Sequence, residues 1–161
     1  MASELRVDRI IPVNGVPTGG GGGIIQVVNT YFNTSLSGTV SSRTDIGLSL
    51  SITPTSSSNK VLVIIDLADV SKYGGTGTGP YARFWLMRGS TDLIRFGGQA
   101  GYSGDTSTTS VGSVSTNYLD SPATTSAVTY KVQWQNASAS GTIEMNASGA
   151  FSTMTLMEVS G

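Results

Sequence analysis

The fold of this chain is decided by residues 128–134, which carry the sequence VTYKVQW. The even-numbered positions of this stretch hold apolar or aromatic side chains, and the odd-numbered positions hold polar ones. Successive side chains of a β-strand point to opposite faces of a sheet, so this period of two predicts a strand with one buried and one solvated face. Residues 46–52, IGLSLSI, repeat the pattern with glycine and serine on the polar side. Both stretches therefore predict half-buried strands.

Other short segments extend this prediction along the chain. Residues 61–65, VLVII, are apolar at every position, which predicts a strand covered on both faces, such as by a sheet on one and a subunit on the other. Residues 83–96 predict a hairpin that turns near Gly89. Further strand signals lie at 24–29, 111–118, 142–146 and 152–159. Eight or nine short strands are expected, so the sequence predicts an all-β, antiparallel, jelly-roll-like β-sandwich whose strand order is left open.

The composition excludes several classes of chemistry. The chain has 161 residues, with 24 Ser and 20 Thr but neither His nor Cys. Imidazole bases, thiol nucleophiles and the usual ligands of zinc and haem are therefore missing, and we expect no cofactor. The carboxylates show no paired spacing of the kind that glycan hydrolysis needs, so the prediction is that the protein is not an enzyme.

The charge and hydropathy patterns bound the expected partners and location. Net charge is −1 and the nine basic residues are scattered, so nucleic acid is not expected as a partner. No run of 18 apolar residues occurs, so no membrane insertion is expected. The first ten residues mix charged and apolar side chains where a signal peptide has an apolar run, which predicts synthesis in the cytoplasm without a cleaved leader.

A run of five glycines at 19–23 divides the chain unequally. We interpret it as a linker between an extended N-terminal arm, residues 1–18, and a sandwich domain, residues 24–161. The arm is too short to form a core of its own. It is either a frayed tail or an anchor that orders only against another chain, and its apolar side chains would then form the attachment surface: Leu5, Val7, Ile10, Ile11 and Val13.

Two loops rich in Gly, Ser and Thr carry the candidate binding residues. These loops span 71–80 and 97–110, and four of the residues in or beside them are candidates for receptor contact: Tyr73, Tyr81, Tyr102 and Asp105. Tyrosines on polar loops are typical of adaptable binding surfaces, and aromatic faces beside hydroxyls and carboxylates suit sugars. The alternative is that Tyr73 and Tyr102 fold back over the edge of the sandwich.

Several phrases of the sequence resemble a known group of proteins. They are LRVDRIIPVNGVP at 5–17 with the glycine run and IIQVV at 24–28, LSLSITPTSSSNKVLV at 48–63, YLDSP at 118–122, VTYKVQW at 128–134 and TMTLMEV at 153–159. Together they resemble small tail-fibre or virion structural proteins of tailed bacteriophages, notably those that infect cyanobacteria. The resemblance implies a β-sandwich knob, usually homotrimeric, that is tethered by an N-terminal arm. It carries over no catalytic residues.

These observations lead to an expected function and two alternatives. We expect a phage virion protein, assembled in the host cytoplasm, that forms a homotrimeric tail fibre or knob. Residues 1–18 would dock on baseplate, tail or capsid proteins, and the sandwich would face outward to contact a host-surface glycan. The first alternative is a capsid-decorating protein that stabilises the head, and the second is a glycan-degrading enzyme.

Overall fold

A computed structural model describes residues 23–39, 41–73, 81–100, 109–137 and 141–161, and these form two antiparallel β-sheets. The strands are β1 (Ile24–Phe32), β2 (Leu36–Gly38), β3 (Thr44–Ile52), β4 (Lys60–Tyr73), β5 (Ala82–Arg88), β6 (Thr91–Ala100), β7 (Thr109–Asp120), β8 (Val128–Asn136), β9 (Thr142–Met145) and β10 (Ser152–Val159). A 3-10 turn, Ala147–Gly149, separates the last two strands. Within the described ranges, no helix is long and apolar enough to cross a membrane.

The strand order is that of a jelly roll. In sheet A, two strands sometimes follow each other end to end along one strand position, and we call each such position a lane. The first lane holds β1 and β2, and the next holds β10 and β9. With β4 and β7, sheet A has four lanes. Sheet B has the order β3-β8-β5-β6. If the lanes are numbered along the chain, sheet A runs 1-8-3-6 and sheet B runs 2-7-4-5, which is the arrangement of two interleaved Greek keys. The predicted all-β antiparallel sandwich is therefore confirmed.

The core fills the space between the two sheets because the alternate residues that point inward on each strand are apolar. Val61, Val63 and Ile65 of β4 are fully buried, and they face Tyr130 and Val132 of β8 in one continuous cluster. The intervening residues of β8 are half-buried or exposed, as the period of two predicts. Burial of one parity on each strand is what holds the register of both sheets, since a shift by one residue would expose the core face.

The ten strands exceed the eight or nine expected because two lanes of sheet A are each broken into two strands. Asn146 sits at one break in the left-handed conformation, with φ of +54°. Its backbone N–H donates to Ala68 O at 3.0 Å, and its Nδ2 donates to Phe32 O and Thr34 O at 3.1 and 3.2 Å. Ser152 Oγ donates to Asn146 Oδ1 at 2.6 Å. The buried Asn146 thus satisfies backbone carbonyls at the break between β1 and β2 with its side chain, and one of β4 with its own N–H.

The strands around the second predicted loop are longer than expected. The loop was placed at 97–110, but β6 continues to Ala100 and β7 begins at Thr109, so the connection spans only 101–108. Gly97 explains part of this difference, because it lies inside β6 with φ of +57° and takes the close approach of Val114 from sheet A. The predicted arm and all of the glycine linker except Gly23 lie outside the described residues.

Candidate functional site

The strand ends that flank four connections lie at one end of the sandwich, which we call the loop end. The connections are 39–43, 74–81, 101–108 and 137–141. The strand pairing brings them together: Lys72 pairs with Thr109 on one side and with Ile143 on the other, and Ala82 pairs with both Ala100 and Asn136. Both loops that carry the candidate receptor residues therefore start and finish at the same end, although they are separated along the chain.

Tyr81 is held at the loop end by its neighbours. Its carbonyl oxygen accepts a hydrogen bond from Ala137 N–H at 3.1 Å, which ties the start of β5 to the end of β8. Arg83 lies two residues further on and therefore on the same face of the strand. Its Nη2 donates to Tyr81 Oη at 3.0 Å, and its guanidinium carbon lies 5.2 Å from the ring centroid. Tyrosine and arginine thus form one half-buried unit with an aromatic face and a cation.

Tyr73 ends β4 at the same end of the molecule, where it pairs with Thr142 of β9. Its side chain is 41% exposed, so it is available to a partner. Lys72, beside it, is fully buried. The other two candidate receptor residues, Tyr102 and Asp105, lie outside the described residues, as do the five apolar residues of the predicted attachment arm.

The chain enters and leaves the fold at the opposite end, which we call the arm end. Ile24, at the start of β1, pairs with Val159 near the C-terminus, and Ser160 N–H donates to Gly23 O at 3.1 Å. Residues 1–22 therefore join the sandwich at the arm end, at the far side from the loops. The two ends are separated by the length of β4, whose 14 residues correspond to roughly 45 Å at ~3.3 Å per residue.

A buried carboxylate fixes the arm end. Glu158 of β10 is fully buried, and its Oε1 accepts hydrogen bonds from Thr55 N–H at 2.7 Å, Thr55 Oγ1 at 2.8 Å and Asn59 Nδ2 at 2.6 Å. Gln26 of β1 donates to Oε2. Burial raises the pKa of Glu158, but the hydrogen bonds from Asn59, Gln26 and Thr55 outweigh it and lower the pKa from 4.5 to about 2. The ionised side chain therefore joins β1 to the β3–β4 connection.

A second polar group at the arm end joins the two sheets. Asp120, at the end of β7 in sheet A, accepts bonds from Arg88 Nη1 at 2.8 Å and from Tyr130 Oη at 2.6 Å, both from sheet B. Burial raises the pKa of Tyr130, and the hydrogen bond to Asp120 raises it further. Arg88 and Asp120 thus form an ion pair between the two sheets.

The outer face of sheet B carries ion pairs that the sequence did not reveal. Arg43 makes two bonds to the Asp92 carboxylate at 2.7 and 2.8 Å, and its guanidinium carbon lies 4.6 Å from the Trp85 ring centroid. Lys131 Nζ donates to Asp45 Oδ2 at 2.8 Å, and the hydrogen bonds from Lys131 and Gln133 lower the pKa of Asp45. These ion-paired partners are 49 and 86 residues apart in the sequence, so no spacing signalled them. For Arg83 and Tyr81, in contrast, the separation of two was a usable signal.

The arrangement thus combines a loop end with exposed tyrosine and an Arg–Tyr unit, and an arm end closed by buried polar networks. Such a scaffold is suited to presenting loops on a rigid sandwich. No protein-family model and no curated protein sequence matches this chain.

Proposed function

We propose that this chain is a structural protein of a bacteriophage virion, a homotrimeric tail fibre or knob. Residues 1–18 attach it to the particle, and the loop end contacts the host surface. The observation that carries the proposal is the placement of the two ends: residues 1–22 enter at Gly23, opposite the four connections of the loop end. A protein that links a particle to a cell needs its attachment segment and its recognition surface far apart, and a sandwich of this length provides that separation.

The chemistry of the loop end supports a polar, glycan-like target. Tyr73 is exposed, and the paired Tyr81 and Arg83 supply an aromatic ring beside a guanidinium group. Aromatic rings pack against the apolar faces of sugars, while hydroxyl and guanidinium groups bond to their hydroxyls. The jelly roll itself occurs in viral capsid and lectin domains, but a fold shared by so many proteins is not by itself evidence of function.

The proposal is tested by comparing the full chain with a chain that lacks residues 1–18. Both are expressed in cells that produce phage particles, and purified particles are labelled with an antibody to the sandwich and imaged by electron microscopy. We expect label at the tail for the full chain. The shortened chain should keep its β-type circular dichroism and its oligomeric mass but be missing from particles.

Four results would count against the proposal. Equal incorporation of the shortened chain would remove the role of the arm, and absence of the full chain from particles would remove the virion function altogether. Label on the head in place of the tail would assign the capsid-decorating function. Turnover of host polysaccharide by the purified protein would favour the enzyme.

A further inference from the structure

The outer face of sheet A bears a row of apolar side chains that crosses all four lanes. Val27 pairs with Met157, Met157 with Leu62, and Leu62 with Leu119, so the four side chains stand side by side in register. On each strand at least one neighbour belongs to the core or packs against it, which sets this parity outward; these neighbours are Val28, Leu156, Val61, Val63 and Tyr118. Val27 is 53% exposed and Leu119 is 49% exposed. We call this set the apolar row.

The row next to the apolar row on the loop side is also uncharged. The next row towards the loop end contains Asn29, Thr155, Ile64 and Asn117. Its polar groups are partly satisfied within the sheet, because Asn29 Nδ2 donates to Thr155 Oγ1 at 2.8 Å. Over the described part of this face, Lys60 and Asp66 lie one beyond each row, and Glu144 of β9 lies further towards the loop end. The outer face of sheet B, with its Arg43–Asp92 and Lys131–Asp45 pairs, is the opposite in character.

The size of this face is a large share of what a stable contact between chains needs. Four lanes spaced ~4.8 Å apart, followed over about seven residues of ~3.3 Å each, cover roughly 440 Å² in projection. This area is over half of the ~800 Å² that each partner buries in a standard interface. The exposed pair Tyr31 and Phe151, whose rings lie 5.6 Å apart, extends the apolar surface beyond it.

The width of the face also fits three copies around one axis. Three sheets that form the sides of a prism, each ~19 Å wide, stand roughly 5.5 Å from the axis by geometry. Packed sheets lie ~10 Å apart, so the side chains of each reach about 5 Å from it. Three copies of the apolar row would therefore fill the centre of the prism with little empty space, and a closed ring leaves none of the three faces in water.

We infer that the outer face of sheet A is the surface through which three copies of this chain assemble, with the apolar rows meeting at the axis. The inference rests on the proposed homotrimer, and it names the contact that would hold it together. This assembly would also cover the outer face of β4, which is apolar on both faces, since Leu62 and Ile64 would face the neighbouring copies.

The test measures the mass of the full chain in solution by light scattering after size exclusion. Wild type is expected at three times the chain mass. Leu62→Glu places a carboxylate at the centre of the row and should give a single-chain mass with unchanged circular dichroism. Ser49→Glu adds the same charge to the outer face of sheet B, beside Lys131, and should remain trimeric. Should Leu62→Glu fail to fold, Leu119→Ser at the half-exposed end of the row should raise the trimer's dissociation concentration at least tenfold.

A single-chain or two-chain mass for wild type would overturn the inference, as would trimers of wild-type strength in both row variants. A wild-type monomer that begins to bind a hydrophobic dye when residues 1–18 are removed would also overturn it, and would assign the face to the chain's own arm. These outcomes are read from mass and dye binding alone. The proposed virion function is read from particle composition, so the two can fail separately.

Discussion

At the scale of single residues, the most consequential group is the buried carboxylate of Glu158. Its folded-state pKa of about 2 lies below the ordinary value of 4.5. A group whose pKa is lowered on folding contributes stability that is complete above about pH 4.5 and is lost as the pH falls towards 2. The difference corresponds to about 3 kcal/mol of unfolding free energy.

Glu158→Gln should therefore lower the unfolding free energy at pH 7 by about 3 kcal/mol, since the amide would turn an N–H group towards donors that need an acceptor. The penalty relative to wild type should shrink steadily between pH 5 and pH 2. Urea unfolding at a series of pH values measures both effects. Glu144→Gln is the matched control, because Glu144 is half-buried and accepts one bond from Ser37 at 3.2 Å. A penalty for Glu158→Gln that stays constant with pH would contradict this account.

At the scale of elements, β6 contains a position that suits only glycine. Gly97 has φ of +57°, and a Cβ placed on it would lie 2.7 Å from Val114 Cγ1 and 3.0 Å from Phe84 Cδ2. Both the backbone conformation and the contact between the sheets therefore require glycine. Gly98, the next residue, would place a Cβ in open space, with no atom within 4 Å.

Gly97→Ala should lower the unfolding free energy by about 2 kcal/mol, because the added methyl group must displace Val114 or distort the strand. Gly98→Ala should change it by less than about 1 kcal/mol, in either direction. Urea unfolding of the two variants side by side measures the combined cost of the left-handed backbone and the contact at Gly97, since the substitution and the strand are the same. If the two variants lower the unfolding free energy equally, then the packing of β6 against β7 at Gly97 does not contribute to stability.

The same elements show what the sequence can and cannot predict. The period of two was sufficient for β3 and β8, because each has one core face and one wet face. It did not predict the breaks in two lanes of sheet A, because these depend on Asn146 bonding to Phe32, 114 residues away. Nor could Gly97 be told from a loop glycine, since only the approach of Val114 explains it. Local alternation predicts strands, but contacts between distant strands decide where they break and end.

The residues of the candidate site likewise include some that the sequence predicted and some that it did not. Loop composition was enough to select Tyr73 and Tyr81, and the structure places both at the loop end. The pairing of Arg43 with Asp92 was not predictable, because it joins residues 49 positions apart. The apolar row is an intermediate case. The run 61–65 predicted a strand covered twice, but the alignment of Leu62 with Met157 and Leu119 appears only with the sheet register.

At the scale of the whole molecule, the jelly-roll topology turns a linear order of segments into two functional ends. Antiparallel lanes make alternate connections fall at opposite ends, so the chain's entry at Gly23 lies away from the four connections of the loop end. If the sandwich is a spacer between particle and cell, then a change at the loop end should alter adsorption to the host without altering incorporation into particles.

Tyr73→Ala is the sharpest test of that separation, because Tyr73 is exposed at the loop end and its loss removes no core contact. Loss of about 1.4 kcal/mol of aromatic contact corresponds to about a tenfold fall in the affinity for the host surface. The adsorption of particles that carry the variant should fall accordingly, while their content of this protein, measured by quantitative blotting, stays at the wild-type level. Thr125→Ala, exposed in the connection between β7 and β8 at the arm end, should change neither quantity. Wild-type adsorption of the Tyr73 variant, or an equal fall with Thr125→Ala, would mean that the loop end is not the surface that meets the cell.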